Sequence, residues 1–337
     1  MIRHTVLRSL FTLALGLFLS AAAHAQLFRT YIAPDGVDSN PCTLAAPCRL
    51  LPAALATVID GGEIWMLGSA NYNTGPVNIA KSVTILAVPG ALGSVVALGG
   101  NAIDIATAGV KVSLRNLVIV PFIGGGGTNG INMTAGTSLT VENCLIANLP
   151  GTGIIANGVM DVLVTDTTVR GNGTHGLFIE NGARATVTRT TVSRNANNGI
   201  SVRGNTASTT TTADIADSTI STNNNGMFAQ SSNAGAVVKV SVRDSRVVGN
   251  VNFGVAAQSN VGALVTVSAS NNIISNNDYG ILAVSTGTRV WASGNTVSDN
   301  GYGLFNSNLA LFESAGDNAV RNNSSGNFGV ITPIAKM

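Results

Sequence analysis

The chain has 337 residues, of which 45% are apolar, 10% charged and 5% aromatic, with 39 glycines. Disordered chains combine high charge with few aliphatic residues, so this composition excludes disorder and describes a folded protein. The formal net charge is only +2, and a chain so nearly balanced offers no electrostatic case for nucleic acid or anionic lipid as a partner.

Residues 1–25 read as a secretory leader. Arg3 and Arg8 form a basic start, Leu10 to Ala23 an apolar stretch, and Ala23-His24-Ala25 a small-x-small cleavage site. An apolar run of 14 residues is short for a membrane span, which needs about 20. Cleavage after Ala25 removes Arg3, Arg8, His4 and His24, leaving 16 basic against 16 acidic residues and His175 as the one histidine. The mature chain is therefore expected to be secreted or periplasmic, with no membrane span.

Residues 26–80 read as an N-terminal cap and first coil, with residues 81–337 forming the repeat. Tyr31-Ile32-Ala33 predicts a short strand and Pro34-Asp35-Gly36 a turn. Leu50 to Ile59 predicts a helix, with Pro52 tolerable in its first turn. Asp60-Gly61-Gly62 should stop it before a strand at Glu63 to Leu67. A solenoid exposes apolar core and backbone edge at its first coil, and this helix is placed to cover them. Cys42 and Cys48 lie close together, and export puts them where a disulfide persists. Cys144, inside a strand pattern, reads as a buried thiol. Asp35 to Asn40 carries calcium-type oxygen ligands without the later bidentate glutamate, so an ordinary turn is the expectation and calcium the one cofactor left open.

From Leu139 to Val330 the chain repeats itself. Each unit ends in a polar turn, a glycine and an aliphatic residue, at Gly153, Gly176, Gly199, Gly226, Gly254, Gly280, Gly303 and Gly329. The successive spacings are 23, 23, 27, 28, 26, 23 and 26 residues, a period that means a solenoid. Asparagines recur after the second β-rich run of each unit, at Asn148, Asn172, Asn195, Asn223, Asn250, Asn276, Asn300 and Asn322. One per coil, they are expected to stack at about 4.8 Å as a structural ladder.

The units Asn295-Thr-Val-Ser-Asp-Asn300-Gly-Tyr-Gly303-Leu304 and Asp217-Ser-Thr-Ile220-Ser-Thr-Asn223-Asn-Asn-Gly226-Met227 resemble the repeat of right-handed parallel β-helix proteins, the pectate-lyase-like superfamily. The front end, Tyr31 to Leu55, is similar to the capped start of secreted bacterial members. The resemblance implies an all-β, single-stranded right-handed parallel β-helix of roughly ten coils with an N-terminal capping helix. It also implies an association with polysaccharides, especially uronic-acid polymers, while the catalytic motifs of that superfamily are missing here. Fold alone does not decide activity.

Sites in a solenoid form across coils. One ladder precedes the glycines: Asn143, Asp166, Arg189, Asp217, Asp244 and Asn271. Stacked Asp217 and Asp244 would repel, raising one pKa or inviting a cation, with Arg189 one coil away. A second ladder follows the glycines: Asn157, Glu180, Arg203, Gln230 and Gln258. It coincides with three lengthened coils whose extra residues fall near Arg203 to Thr212, Gln230 to Gly235 and Gln258 to Gly262. Loops on a rigid scaffold are where binding resides. Glu180, Arg203, Gln230, Asn233, Gln258 and Asn260 are therefore the candidate ligand-binding residues, suited to sugar hydroxyls or a protein surface. His175 reads as a solvated turn histidine.

The sequence thus points to an exported, non-catalytic β-helix protein that binds carbohydrate or a cell-surface partner. The alternatives are a polysaccharide lyase or glycoside hydrolase acting on acidic polysaccharide, with Asp217, Asp244, Arg189, Lys239 and Arg243 as metal ligands and base, or a structural, adhesive surface protein.

Overall fold

A computed structural model describes residues 27–260 and 262–335. The expected leader and its cleavage site lie outside the described residues. The chain is an all-β right-handed parallel β-solenoid of about ten turns. Three parallel sheets of thirteen, eleven and ten strands run along its length. A full coil contributes one strand to each sheet, so the N–H and C=O groups of its strands pair with the coils before and after it.

Within strands the side chains alternate. Val238, Val240 and Val242 are buried, while Lys239 between them is exposed. The inward rows of Val, Ile, Leu and Ala form one continuous apolar core from Ile32 to Phe312. The period-two pattern therefore sets the fold, and the coil-to-coil register keeps like residues stacked: Ile154, Leu177, Ile200, Met227, Val255, Ile281 and Leu304 follow one another.

The repeating glycines are required by crowding. At Gly226 a Cβ would stand 2.2 Å from the carbonyl oxygen of Gly254 and 2.9 Å from Val247, so no larger residue fits without moving backbone. Gly329 does not continue the column. The amide of Gly303 donates to Gly326 O, and Phe305 bridges Phe328, which leaves Gly329 in a left-handed turn (φ 77°).

The asparagine ladder is present, one residue away from the expected position at three of its rungs. Asn172, Asn195, Asn223 and Asn250 are buried, and each Oδ1 accepts from both the backbone N and the Nδ2 of the preceding rung where that rung is asparagine. The ladder continues through Asn277, Asn300 and Asn323. Asn148, Asn276 and Asn322 instead occupy the preceding turn residue at φ 62°, 57° and 56°, a left-handed position that asparagine tolerates. A second ladder fills the corner between the thirteen- and eleven-stranded sheets. There Thr167, Ser218, Ser245, Asn272 and Asn295 accept backbone N–H bonds from the coil before. Cys144 is a rung of that ladder, with Leu117 N at 3.4 Å from its Sγ.

At the front, a helix spans Leu51–Thr57 with Pro52 in its first turn and Leu51, Ala54 and Leu55 buried. Strand follows it directly at Val58–Met66. Asp60-Gly61-Gly62 lies inside that strand, where the pairing with Leu27–Ile32 shifts register. A bulge absorbs the glycines that the sequence reading placed in a helix stop. Cys42 and Cys48 are disulfide-bonded, and Cys144 is the free, buried cysteine.

Candidate binding face of the ten-stranded sheet

The candidate ligand-binding row is a real stack. Asn157, Glu180, Arg203, Gln230 and Gln258 are consecutive register partners on the ten-stranded sheet, with Glu180 only 9% exposed. The three long coils extend both strands and turns. Their strands on this sheet are Asn198–Gly204, Asn225–Ser231 and Phe253–Ser259, against Ile154–Asn157 and Leu177–Glu180 before them. The turns that follow grow from residues 181–183 to residues 205–209 and 232–236.

Along this overhang Asn205, Ser232 and Asn260 align. Asn205 N donates to Asn181 Oδ1, Ser232 N to Gly204 O, and Asn260 Nδ2 to Ser232 Oγ. Asn233 is not in that column; its Oδ1 accepts from Gly235 N and its Nδ2 donates to Asn205 O.

Arg203 stands on this face with its guanidinium 5.3 Å from the centre of the Phe178 ring and its Nε donating to Ser201 Oγ at 3.2 Å. Burial pushes its pKa below the ordinary arginine value. Glu180 Oε2 accepts from Asn205 Nδ2 at 2.9 Å.

His175 departs from its expected solvated state. It is half-buried and stacked on Phe178 with centroids 5.0 Å apart and planes 8° from parallel. Its Nδ1 is buried without a hydrogen-bond partner. Burial first, then the charge of Arg203, pushes its pKa down to about 4, so the ring is neutral near pH 7.

The sequence reading missed the aromatics of this face. Phe178, Ser201, Phe228, Ala256, Leu282 and Phe305 form one outward row. Phe253, Tyr279 and Tyr302 form another beside it. The rings touch: Phe228 and Phe253 lie 5.3 Å apart, Tyr279 and Tyr302 stack at 5.4 Å, and Phe305 stacks on Phe328 at 4.6 Å. The rings are partly exposed, with Phe328 at their end 49% exposed, and an apolar surface bordered by polar side chains is suited to binding. The signal was available, since these aromatics stand one residue before or two after the repeat glycine.

The other candidates lie elsewhere. Asp166, Arg189, Asp217 and Asp244 all occupy the left-handed turn between the thirteen- and eleven-stranded sheets, at φ 50°, 47°, 50° and 52°. All four are exposed. Turn geometry favours Asp and Asn at such positions, which accounts for much of that column. Arg189 is engaged in a bidentate pair with Asp166, both contacts at 2.8 Å, which holds the Asp166 carboxyl below its usual range. Asp244 has Arg243 at 3.6 Å.

A recess of about 660 Å³ opens on the thirteen-stranded sheet and is lined by Thr140, Leu163, Arg184, Asp214, Lys239 and Ser241 among others. Its charges are largely self-paired, Arg184 with Asp161 at 3.1 Å and Asp214 with Arg243 at 3.4 Å. Near the front, Asp38 Oδ1 accepts from Arg49 N and Leu50 N. Among the described residues no three acidic, histidine or cysteine side chains cluster as a metal site.

Three sheets, stacked polar ladders and an aromatic outer face define a parallel β-helix. Residues 129–300 match the family described as right-handed beta helix region, and the chain belongs to that family. Its fold is similar to pectate lyase Pel9A (15% identity, 92% of this chain and 78% of that one, TM-score 0.56). It is similar also to the Dettilon tailspike protein (13%, 89% and 68%, TM-score 0.57). A third similar structure is the A-module of the Azotobacter vinelandii mannuronan C-5 epimerase AlgE6 (13%, 82% and 92%, TM-score 0.51). These likenesses establish a right-handed, pectate-lyase-like β-helix fold. No curated protein sequence matches the chain.

Proposed function

We propose that this protein is an exported, non-catalytic β-helix that binds carbohydrate along the outer face of its ten-stranded sheet. The observation that carries the reading is the pairing of two chemistries in register. The row Asn157, Glu180, Arg203, Gln230 and Gln258 offers hydrogen bonds for hydroxyls. Beside it and continuing past its end, the partly exposed rings of Phe228, Phe253, Tyr279 and Tyr302 offer apolar area suited to the C–H face of a sugar ring. The fold relatives named for pectate and mannuronan are in keeping with a sugar polymer as ligand.

The overhang around residues 203–262 forms one wall of this face. The helix Leu51–Thr57 serves as the cap of the first coil, and residues 1–25 as the leader. The disulfide Cys42–Cys48 fits an oxidising compartment. No helix among the described residues is long and apolar enough to cross a membrane.

A polysaccharide panel tests the reading. The wild-type protein should retain glycans on an array, and a variant with Gln230→Ala, Gln258→Ala and Tyr279→Ala together should lose them by about tenfold or more. Unsaturated or reducing ends released from the panel, with or without calcium, would overturn the non-catalytic part. Binding that survives the triple substitution would overturn the face. A silent array with capture of a surface protein would support the adhesive alternative.

A further inference from the structure

The strands of the ten-stranded sheet carry three charged residues among those described, Asp104, Glu180 and Arg203. Arg203 is the sole cation among them. Its environment is unusual for a guanidinium. It is half-buried, lies against the Phe178 ring, and donates a hydrogen bond from Nε to Ser201 Oγ at 3.2 Å. No carboxylate of a described residue stands within ion-pair distance of it, and unlike the unpaired Arg194, Arg246, Arg289 and Arg321, which are exposed, it is partly withdrawn from water. Glu180, its register neighbour, is turned to Asn205.

His175 sits on the same Phe178 ring with a buried, unpartnered Nδ1. The ring is held neutral, so it neither cancels nor repels an incoming charge. A half-buried cation whose nearest carboxylate, Glu180, lies beyond ion-pair contact and bonds Asn205 instead is a standing cost that a bound anion relieves.

The neighbours of Arg203 limit how that anion is carried. Coils are about 4.8 Å apart, a distance similar to the advance of an extended glycan per sugar. With one acidic group on Arg203, a polyuronate would place its next carboxylate beside Glu180 on one side. On the other side it would meet Gln230 and the Phe228 ring, where no cation waits. The first contact is repulsive and the second leaves a charge partly desolvated.

We propose that Arg203 is an anion subsite within the glycan-binding face, selecting a chain that is neutral over most of its length and bears an isolated acidic group. This rests on the carbohydrate reading above and adds the substrate class to it. The ligand is thereby distinguished from homopolymeric uronates.

The test is an array of matched glycans probed with the full-length mature protein: neutral chains, the same chains carrying one uronate, and homopolyuronates. The single-acid member of a pair should bind best. Arg203→Gln should lower its affinity by about ten- to a hundredfold, lower that of the neutral member far less so that the ratio between the two collapses, and preserve the thermal midpoint. Arg203→Lys should restore part of the preference. Equal binding of neutral and single-acid members, strongest binding to homopolyuronates, or an unchanged ratio in Arg203→Gln would each overturn the subsite. In those cases the face still stands as a glycan site if neutral binding is lost in Tyr279→Ala. An array silent throughout would remove both.

Discussion

Removing one rung of the buried asparagine ladder gives a magnitude that can be worked from the structure. Asn223 is fully buried. Its Oδ1 accepts from Asn195 N at 3.0 Å and from Asn195 Nδ2 at 2.9 Å, and its Nδ2 donates to Val192 O at 3.1 Å and Asn250 Oδ1 at 3.0 Å. Asn223→Ala leaves two buried donors with no acceptor and two carbonyl oxygens, Val192 O and Asn250 Oδ1, each poorer by a donor. Each orphaned buried group costs about 1–3 kcal/mol, so the substitution should cost about 3–5 kcal/mol in all. Asn252 is the control. Its Nδ2 bonds Asn224 and Asn225 at the surface, where water replaces the lost partners, and Asn252→Ala should cost under about 1 kcal/mol. Urea unfolding followed by circular dichroism measures both. A shared slope is needed, because a solenoid can lose cooperativity when one coil weakens. Equal destabilisation by the two variants would show that the ladder contributes no more than surface amides, and would refute the reasoning.

Two further outcomes follow from the titratable groups. His175 has a folded pKa of about 4 against about 6.5 unfolded. The unfolded chain therefore binds the proton first, and stability falls as pH drops from about 6.5 to about 4, then levels. The loss is at most about 3 kcal/mol, and His175→Gln should flatten that part of the pH–stability curve; an unchanged slope would remove His175 as its source. Burial pushes the Cys144 thiol up to about 11, so native protein at pH 8 should resist alkylation there and react only on unfolding. Rapid labelling of the native state would contradict the buried rung.

The solenoid was legible because its period is written in glycines, and each glycine proves to be where a coil meets the next too closely for a Cβ. The strand alternation and the Cys42–Cys48 bridge were legible for the same kind of local reason. Register was less so. Asn148, Asn276 and Asn322 stand one residue before the buried rung, because asparagine suits both a left-handed turn and a stacked interior, and composition cannot tell the two uses apart. The acidic column through Asp217 and Asp244 likewise mixes turn preference with charge.

At the site, the stacked row from Asn157 to Gln258 could be counted out from the repeat. The aromatic rows could also have been counted, but each ring is unremarkable within its own unit. They gain meaning from neighbours some 23 to 28 residues away, such as Phe228 against Phe253. His175 misled for that reason too. Its local turn is polar, and although Phe178, which stacks on it, is three residues away, Arg203, which also shifts it, comes from the next coil.

The central claim is that the ten-stranded sheet, rather than the recess on the thirteen-stranded sheet, is the glycan-binding face. Calorimetric titration of the best array glycan into Tyr302→Ala and into Leu163→Ala with Lys239→Ala tests it most directly. At least about a tenfold loss of affinity is expected for the first and wild-type affinity for the second. Retained binding in the Tyr302 variant with loss in the Leu163 and Lys239 variant would contradict it.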